Sequence, residues 1–247
     1  MAGLRPPAVA GSFYERRAEA LLQSLQGCFL HELGPGRLPE ADPHGPGRVR
    51  ALVSPHAGYL YSGPAAAHGY AALAADGIPD SVVLLGPSHY TSDGGAALSL
   101  AEAWRTPLGD VPVDRELGKQ LLASCDLLVA DEATHASEHS LEVQVPFLQF
   151  LYGERVPSLV PICLRAHPWD EVEGLIGETQ RLGEALANVI GARRVVVIAS
   201  TDFSHQVPQQ CAEQQDRLAL EAILALDPGR LLRTVQERQI STCGPVA

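Results

Sequence analysis

Three histidines, His56, His89 and His205, each lie just beyond a short apolar run, and this placement suggests metal binding or proton transfer. Neutral imidazole is the commonest protein metal ligand, and two histidines with a third donor suit iron, copper or zinc. Asp202 lies three residues before His205, so the two are spaced as a carboxylate that orients a catalytic base. The alternative for Asp202 is a side-chain cap on the following turn. We therefore expect one shared functional site.

The histidines meet only if the apolar runs before them are neighbouring parallel strands. Runs rich in Val, Ile and Leu, without polar alternation, occupy residues 49–53, 82–85, 158–164 and 195–199, and we expect them to be strands covered on both faces. Helical spacing marks 19–33, 63–75, 114–124 (with Asp114 as N-cap), 141–151, 172–186 and 214–226. Between the first helix and the first strand, residues 34–47 are rich in Pro and Gly and predict a surface loop.

Strands that alternate with helices indicate βαβ units with right-handed crossovers. We predict an α/β fold, a three-layer sandwich with a mostly parallel central sheet and helices on both faces. In such folds ligands bind beyond the carboxyl ends of the strands, which is where the three histidines would meet.

Composition restricts the class of protein. The 247 residues are 46% hydrophobic and 19% charged, which predicts one globular domain with a sizeable core. A net charge of −11, with Lys119 as the single lysine, argues against nucleic-acid and anionic-membrane partners. The apolar runs are far shorter than the ~20 residues of a membrane span. Five widely spaced cysteines without a CxxC pair indicate thiols in a reducing, cytoplasmic setting.

Residues near the histidines indicate what kind of ligand the site could bind. Tyr59 and Tyr61 lie between Gly58 and Gly63 in an aromatic turn that suits the wall of a cleft. Residues 86–88 follow a strand but lack the glycines and lysine of a phosphate loop, so a nucleotide enzyme is disfavoured. Histidines in helix or loop context are expected to have structural roles; these are His31, His44, His68 and His167.

An ordered set of motifs extends over nearly the whole chain. They are AGSFY (10–14), SPHAGY (54–59), YSG (61–63), LGPSH (85–89), RTPLG (105–109), EHSLE (138–142), STDFSH (200–205) and CGP (243–245). Together they resemble the Memo family, also called AmmeMemoRadiSam system protein B. The resemblance implies a fold like that of class III, non-heme-iron extradiol dioxygenases, in agreement with the α/β sandwich predicted above.

The resemblance also implies roles for individual residues. His56 and His89 would be metal ligands, Cys243 would be the third ligand, and His205 would hold the position of the dioxygenases' acid/base histidine beside Asp202. A packed thiol is the ordinary interpretation of a lone cysteine, and the CGP motif is what favours a ligand.

The EHSLE motif adds His139 and Glu142 as residues facing the same cleft. The alternative is that they mark a helix N-terminus, where a carboxylate is favourably placed at the positive end of the helix dipole.

The implied thiol ligand is a departure from the dioxygenases, which complete their ligand set with a carboxylate. A thiolate is softer, favours copper(I) or zinc, and changes the redox behaviour of iron. Ring-cleaving chemistry therefore does not follow from the fold alone. We expect a redox metal, iron or copper, with zinc as the alternative.

Three functions remain open from the sequence. The first is a metal-dependent oxidoreductase, dioxygenase-like, acting on a small aromatic or related substrate. The second is a catalytically inactive binding or scaffold protein that holds a phosphopeptide or metabolite in the same cleft. The third is a hydrolase or transferase with Cys243 as nucleophile and His205 as base, which leaves His56 and His89 without a role.

The family name implies an AMMECR1-domain protein and a radical SAM protein as partners. The domain expected is a single Memo-like domain over residues 1–247. The resemblance further implies a C-terminal helix and strands after Cys243 that this sequence lacks, which would weaken the packing of the loop that carries the thiol.

Overall fold

A computed structural model describes residues 3–90, 95–165 and 172–247. The described strands, in chain order, are β1 (Leu4–Arg5), β2 (Ala51–Ser54), β3 (Ser81–Ser88), β4 (Ala96–Leu98), β5 (Ala103–Thr106), β6 (Gly109–Pro112), β7 (Leu128–Ala130), β8 (Ser158–Arg165) and β9 (Val195–Ser200). Six of them form the main sheet in the order β2-β9-β3-β8-β4-β7, and the other three form a small sheet, β1-β5-β6. In the main sheet only the β4–β8 pair is antiparallel among the described pairs. The predicted, mostly parallel sheet is confirmed.

Helices flank this sheet. They are α1 (Ala18–Leu30), α2 (Tyr59–Asp76), α3 (Arg115–Ser124), α4 (Glu132–Ala136), α5 (Val145–Tyr152), α6 (Val172–Ile190), α7 (Gln209–Leu224) and α8 (Pro228–Arg238), with 3-10 turns at Glu142–Gln144 and Gly153–Arg155. The predicted Asp114 cap is confirmed, since its carboxylate accepts the Leu117 N–H at 2.9 Å. The predicted helix over 141–151 is instead a 3-10 turn followed by α5, with Pro146 in the first turn of the α-helix.

The sheet separates two hydrophobic cores, which makes the molecule a three-layer sandwich. Along β3, Val82 and Leu84 point into one core, with α1, α2 and α5, whereas Val83 and Leu85 point into the other, with α3, α6 and α8. Every residue of β3 is buried, as expected for a central strand. The expectation that the first strand is covered on both faces was wrong. It is the edge strand β2, and Val53 there is 38% exposed.

The strand order explains how distant residues meet. In the parallel pairing, Ser54 of β2 lies opposite Ser200 of β9, and Leu85 of β3 lies opposite Ala199. The residues that follow β2, β9 and β3 therefore emerge at one edge of the sheet. Within the described part of the chain, none of the helices has the length and apolarity needed to cross a membrane.

Candidate metal centre

His56 follows β2 after Pro55, and its ring is buried at the sheet edge, with only 1% of the residue exposed. Its Nδ1 lies 3.0 Å from the hydroxyl oxygen of Ser200, at the end of β9. Its backbone N–H donates to Oδ1 of Asp202 at 2.6 Å, which ties the two strand ends together. Burial lowers the pKa of His56 to about 4 against the opposing effect of the Asp202 carboxylate, so the ring is neutral at neutral pH.

Cys243 lies in the loop after α8, and its Sγ is 2.9 Å from Nε2 of His56. The loop rests on the segment after β9, because the Cys243 N–H donates to the Asp202 carbonyl at 3.2 Å and the Thr242 hydroxyl donates to it at 2.7 Å. Gly244 allows this close approach, since a Cβ there would lie 2.9 Å from the Ser200 carbonyl oxygen. The thiol is thus held against His56.

Burial raises the pKa of the Cys243 thiol to about 12. With a neutral imidazole beside it, the thiol keeps its proton at neutral pH unless a cation takes the place of that proton.

His89 follows β3, and Glu138 holds its ring. Nδ1 of His89 lies 2.9 Å from Glu138 Oε1, and the His89 backbone N–H donates to Oε2 at 2.5 Å. The backbone N–H groups of His139 and Ser140 both donate to Oε1 at 2.8 Å. Burial alone would raise the pKa of Glu138, but hydrogen bonds from the His89 ring and from these amides lower it to about 2, so the carboxylate is ionised.

The structure brings His56, His89 and Cys243 together, with one ligand atom of each within 4.8 Å of the other two. Each ring engages Nδ1 in a hydrogen bond, so Nε2 is the free ligand atom of both. Two imidazoles and a thiol that becomes a thiolate on binding fit zinc, copper or iron. Two further groups meet the same distance limit, His89 with Glu138 and His139, and Asp202 with His205 and Cys243. They share residues with the first group, so the whole forms one contiguous cluster.

Asp202 and His205 lie beside this cluster, but they are not hydrogen-bonded to each other. Oδ2 of Asp202 is 3.8 Å from Nε2 of His205 and 4.0 Å from Nε2 of His56, both too long for a hydrogen bond. Oδ1 of Asp202 accepts the backbone N–H groups of His56 and Ala57. The His205 ring is oriented instead by a short contact between its Nδ1 and the carbonyl oxygen of Ser241.

His139 reaches the cluster from the turn that carries Glu138. Its ring stacks on His89 with centroids 4.5 Å apart and meets His56 edge-on at 5.7 Å. Within the described ranges, Nδ1 of His139 is a buried side-chain atom without a hydrogen-bond partner, 3.3 Å from Oε1 of Glu138 but outside hydrogen-bond geometry. An orphaned polar atom among potential ligands also fits a site built to receive a bound group.

Tyr59 and Glu142 are not brought to the histidine cluster. The Tyr59 hydroxyl is buried and donates to the Val143 carbonyl at 2.7 Å. Both oxygens of Glu142 are taken up by the N-terminal segment, where the Tyr14 hydroxyl donates at 2.5 Å and the Ala8 N–H at 2.8 Å. Glu142 therefore anchors the segment that carries His139 and does not itself face the cluster.

The histidines expected to be structural lie apart from the cluster where they are described. Nδ1 of His31 accepts the Leu33 N–H at 3.0 Å, and Nε2 of His68 lies 3.1 Å from the Leu33 carbonyl oxygen. His44 is exposed, and His167 lies outside the described residues.

Three polar residues of the site were not predicted from the sequence: Glu138, Ser200 and Gln144. Glu138 belongs to the EHSLE motif, and Ser200 ends an apolar run, so both had a signal in position. Gln144 is buried and links Ser200 to the core through its amide. It has no sequence signal, because its partners are distant in sequence.

The comparisons with known proteins agree with the motifs. The family model described as Memo-like protein matches residues 5–247. A MEMO1 family protein of Methanopyrus kandleri is 44% identical over 243 residues, 97% of this chain and 82% of that protein. A MEMO1 family protein of Methanothermobacter thermautotrophicus is 40% identical over 248 residues, 99% of this chain and 86% of that protein. One from Sulfurisphaera tokodaii is 38% identical over 249 residues, 98% of this chain and 84% of that protein.

Proposed function

The chain belongs to the Memo family, and we propose that it binds a metal ion through His56, His89 and Cys243 and uses it in a redox-related reaction of a small substrate. Iron or copper is the proposed ion, with zinc as the alternative, and the proposed setting is the cytoplasm. A redox ion bound there would supply electron exchange and polarise a bound oxygen atom. The class III dioxygenase likeness remains a prediction from the motifs.

The observation that carries this proposal is the 2.9 Å approach of Cys243 Sγ to His56 Nε2, across 187 residues of sequence. A buried thiol and a buried neutral imidazole, with the imidazole of His89 nearby, form a donor set of the kind that binds zinc, copper or iron. The same geometry disfavours Cys243 as a nucleophile. A pKa of about 12 leaves almost no thiolate at neutral pH without a cation.

His205 is proposed as the proton-transfer residue at the mouth of the site. Its side chain is 37% exposed, so a substrate can reach it from solvent. The Ser241 carbonyl accepts from Nδ1–H, which leaves the Nε2 lone pair to take a substrate proton. Oδ2 of Asp202 lies 3.8 Å from this nitrogen.

Metal content is the primary test. We expect protein purified without chelators to retain metal, and the variants His56→Ala, His89→Ala and Cys243→Ala to lose it. His44→Ala changes an exposed histidine outside the cluster and serves as the matched control. Metal that persists in the Cys243 variant would remove the thiol from the ligand set, and metal that persists in all three variants would refute the proposal.

Oxygen uptake separates redox activity from binding alone. After anaerobic loading with iron(II), the redox proposal predicts uptake with catechol-type compounds, reduced in His205→Ala while metal content is kept. A loaded protein without turnover across a broad panel supports the alternative, a binding or scaffold protein for a phosphopeptide or metabolite.

One observation favours that alternative: aromatic rings line the site beside His139, with Phe13 at 4.4 Å and the largely exposed Tyr90 at 6.4 Å between ring centroids. In that case ligand affinity survives Cys243→Ala.

The proposed protein partners, an AMMECR1-domain protein and a radical SAM protein, are tested by co-purification.

A further inference from the structure

A buried hydrogen-bond relay leads from the core to His56. It runs from the Tyr70 hydroxyl through the Gln144 amide and the Ser200 hydroxyl to Nδ1 of His56. We propose that Ser200, oriented by Gln144, is a positioning residue that fixes His56 as the Nδ1–H tautomer and so aims the Nε2 lone pair at the metal position. The tautomer follows from the hydrogen bonds alone, and its effect on metal binding rests on the proposed function.

Two hydrogen-bond partners fix the orientation of the Gln144 amide. Its Nε2 lies 3.0 Å from the Pro55 carbonyl oxygen, which only accepts, so this end of the amide is the NH2 group. Its Oε1 accepts from the Tyr70 hydroxyl at 2.6 Å. The second amide hydrogen is then directed to the Ser200 oxygen at 2.9 Å.

The hydrogen bonds of the Ser200 hydroxyl determine which nitrogen of His56 carries the proton. A hydroxyl donates one hydrogen and accepts through two lone pairs. The Ser140 carbonyl oxygen, 2.6 Å away, only accepts, so it takes the Ser200 hydrogen. Gln144 donates to one lone pair, and the remaining lone pair faces Nδ1 of His56 at 3.0 Å. Nδ1 must therefore carry the proton.

The consequence is an Nε2 lone pair directed to Cys243 Sγ, 2.9 Å away, where it accepts the thiol hydrogen in the absence of a cation. The opposite tautomer would need the Ser200 hydrogen at Nδ1, and two acceptor oxygens, those of Ser200 and Ser140, would then face each other at 2.6 Å. Ser200 and Tyr70 are fully buried and Gln144 is 1% exposed, so solvent is excluded from all three. Glu138 acts on Nδ1 of His89 in the same sense, because an ionised carboxylate only accepts.

Imidazole nitrogen NMR of the metal-free protein tests the tautomer directly. Proton-bearing and bare ring nitrogens differ in ¹⁵N shift, and the His56 signals are assigned by their loss in His56→Ala. We expect the Nδ1–H form in the unmodified protein and a shift toward Nε2–H in Ser200→Ala, which leaves Nδ1 without an acceptor. Ser81→Ala removes another buried strand hydroxyl, one that donates to Asp114, and is expected to change nothing at His56. An Nε2–H ring at His56 in the unmodified protein overturns the proposal.

Zinc affinity, measured by competition with a chromophoric chelator, tests the positioning. Ser200→Ala is expected to bind Zn²⁺ about 10- to 100-fold more weakly, the usual effect of losing a partner behind a metal ligand. Ser81→Ala should bind as the unmodified protein does. Equal affinity in Ser200→Ala refutes the positioning role. If the unmodified protein shows the Nδ1–H tautomer but binds no metal, the proposed function fails while the tautomer assignment stands.

Discussion

The ionised Glu138 is the residue that most shapes the local electrostatics of the site. It is 1% exposed, and N–H donors from His89, His139 and Ser140 replace the water that a carboxylate would bind at the surface. Burying a charge in this way is stabilising only while those donors are in place. The same residue holds the ring of His89, so its charge affects both folding and the proposed metal binding.

Glu138→Gln should reduce the loss of folding free energy that the protein suffers as the pH falls. The folded pKa of about 2 lies below the usual 4.5, so the stabilisation is fully present above pH 4.5 and is lost as pH falls toward 2. That difference corresponds to about 3 kcal/mol. Urea unfolding at several pH values below 6 should show a smaller decline in the variant. Glu116→Gln, at an exposed side chain, is the control that keeps the wild-type slope, and parallel curves for Glu138→Gln would contradict the prediction.

At the scale of elements, the turn between α4 and the 3-10 turn Glu142–Gln144 is held by one residue of the small sheet. Arg5 of β1 donates from Nη2 to the carbonyl oxygens of His135 at 2.9 Å and Glu138 at 2.6 Å, and from Nη1 to the Glu142 carboxylate. Its guanidinium also lies 4.4 Å from the centroid of the Trp104 ring. The small sheet therefore fixes the turn that carries Glu138 and His139.

Arg5→Ala is expected to lower the free energy of unfolding by about 3–5 kcal/mol, because it leaves the buried Glu142 charge unpaired. It should also weaken Zn²⁺ binding, since the turn behind His89 loses its anchor. Urea unfolding and the chelator competition measure the two effects. Arg105→Ala, on the neighbouring strand β5, removes an exposed pair with Asp110 and should cost at most about 1 kcal/mol. Equal losses in both variants would show that the anchor has no special role.

The elements that could be predicted from the sequence are those with long apolar patterns. Apolar runs predict the strands β2, β3, β8 and β9, and apolar residues at helical spacing predict the longer helices. Helix α8 was missed because Pro228 and Gly229 resemble a turn, whereas Pro228 occupies the first turn of a helix capped by Asp227. Strands as short as the three-residue β4 and β7 carry too little periodicity to detect.

The candidate site could likewise be predicted from the sequence only in part. His56, His89 and His205 share one sheet edge, and parallel strand ends predict that from spacing alone. Cys243 came only from the family motif, because its loop is placed by contacts with Asp202 that leave no pattern in the sequence. Polar partners such as Ser200 are selected by three-dimensional proximity, so spacing does not reveal them.

At the scale of the whole molecule, one central strand supports both cores. Leu84 of β3 packs in the first core and Val83 in the second. A destabilising substitution in either core therefore weakens the packing of a strand that both cores share. The two layers of helices should therefore unfold together rather than one after the other.

Leu84→Ala in the first core and Leu121→Ala in the second should each lower the free energy of unfolding by about 2–5 kcal/mol. Both leucines are fully buried, whereas Leu60 is 86% exposed, so Leu60→Ala should change it by no more than about 0.5 kcal/mol. Far- and near-ultraviolet circular dichroism during urea unfolding should give coincident curves for every variant. Separate transitions would show that the cores are independent.

The wide spacing of the proposed ligands sets an order of events during synthesis. Both histidines leave the ribosome well before Cys243, which lies 187 residues after His56. The nascent chain holds two imidazoles, and the full donor set forms only once α8 and the loop after it have been made and have closed on the end of β9. Metal capture by all three proposed ligands therefore requires that every strand of the main sheet has already been synthesised.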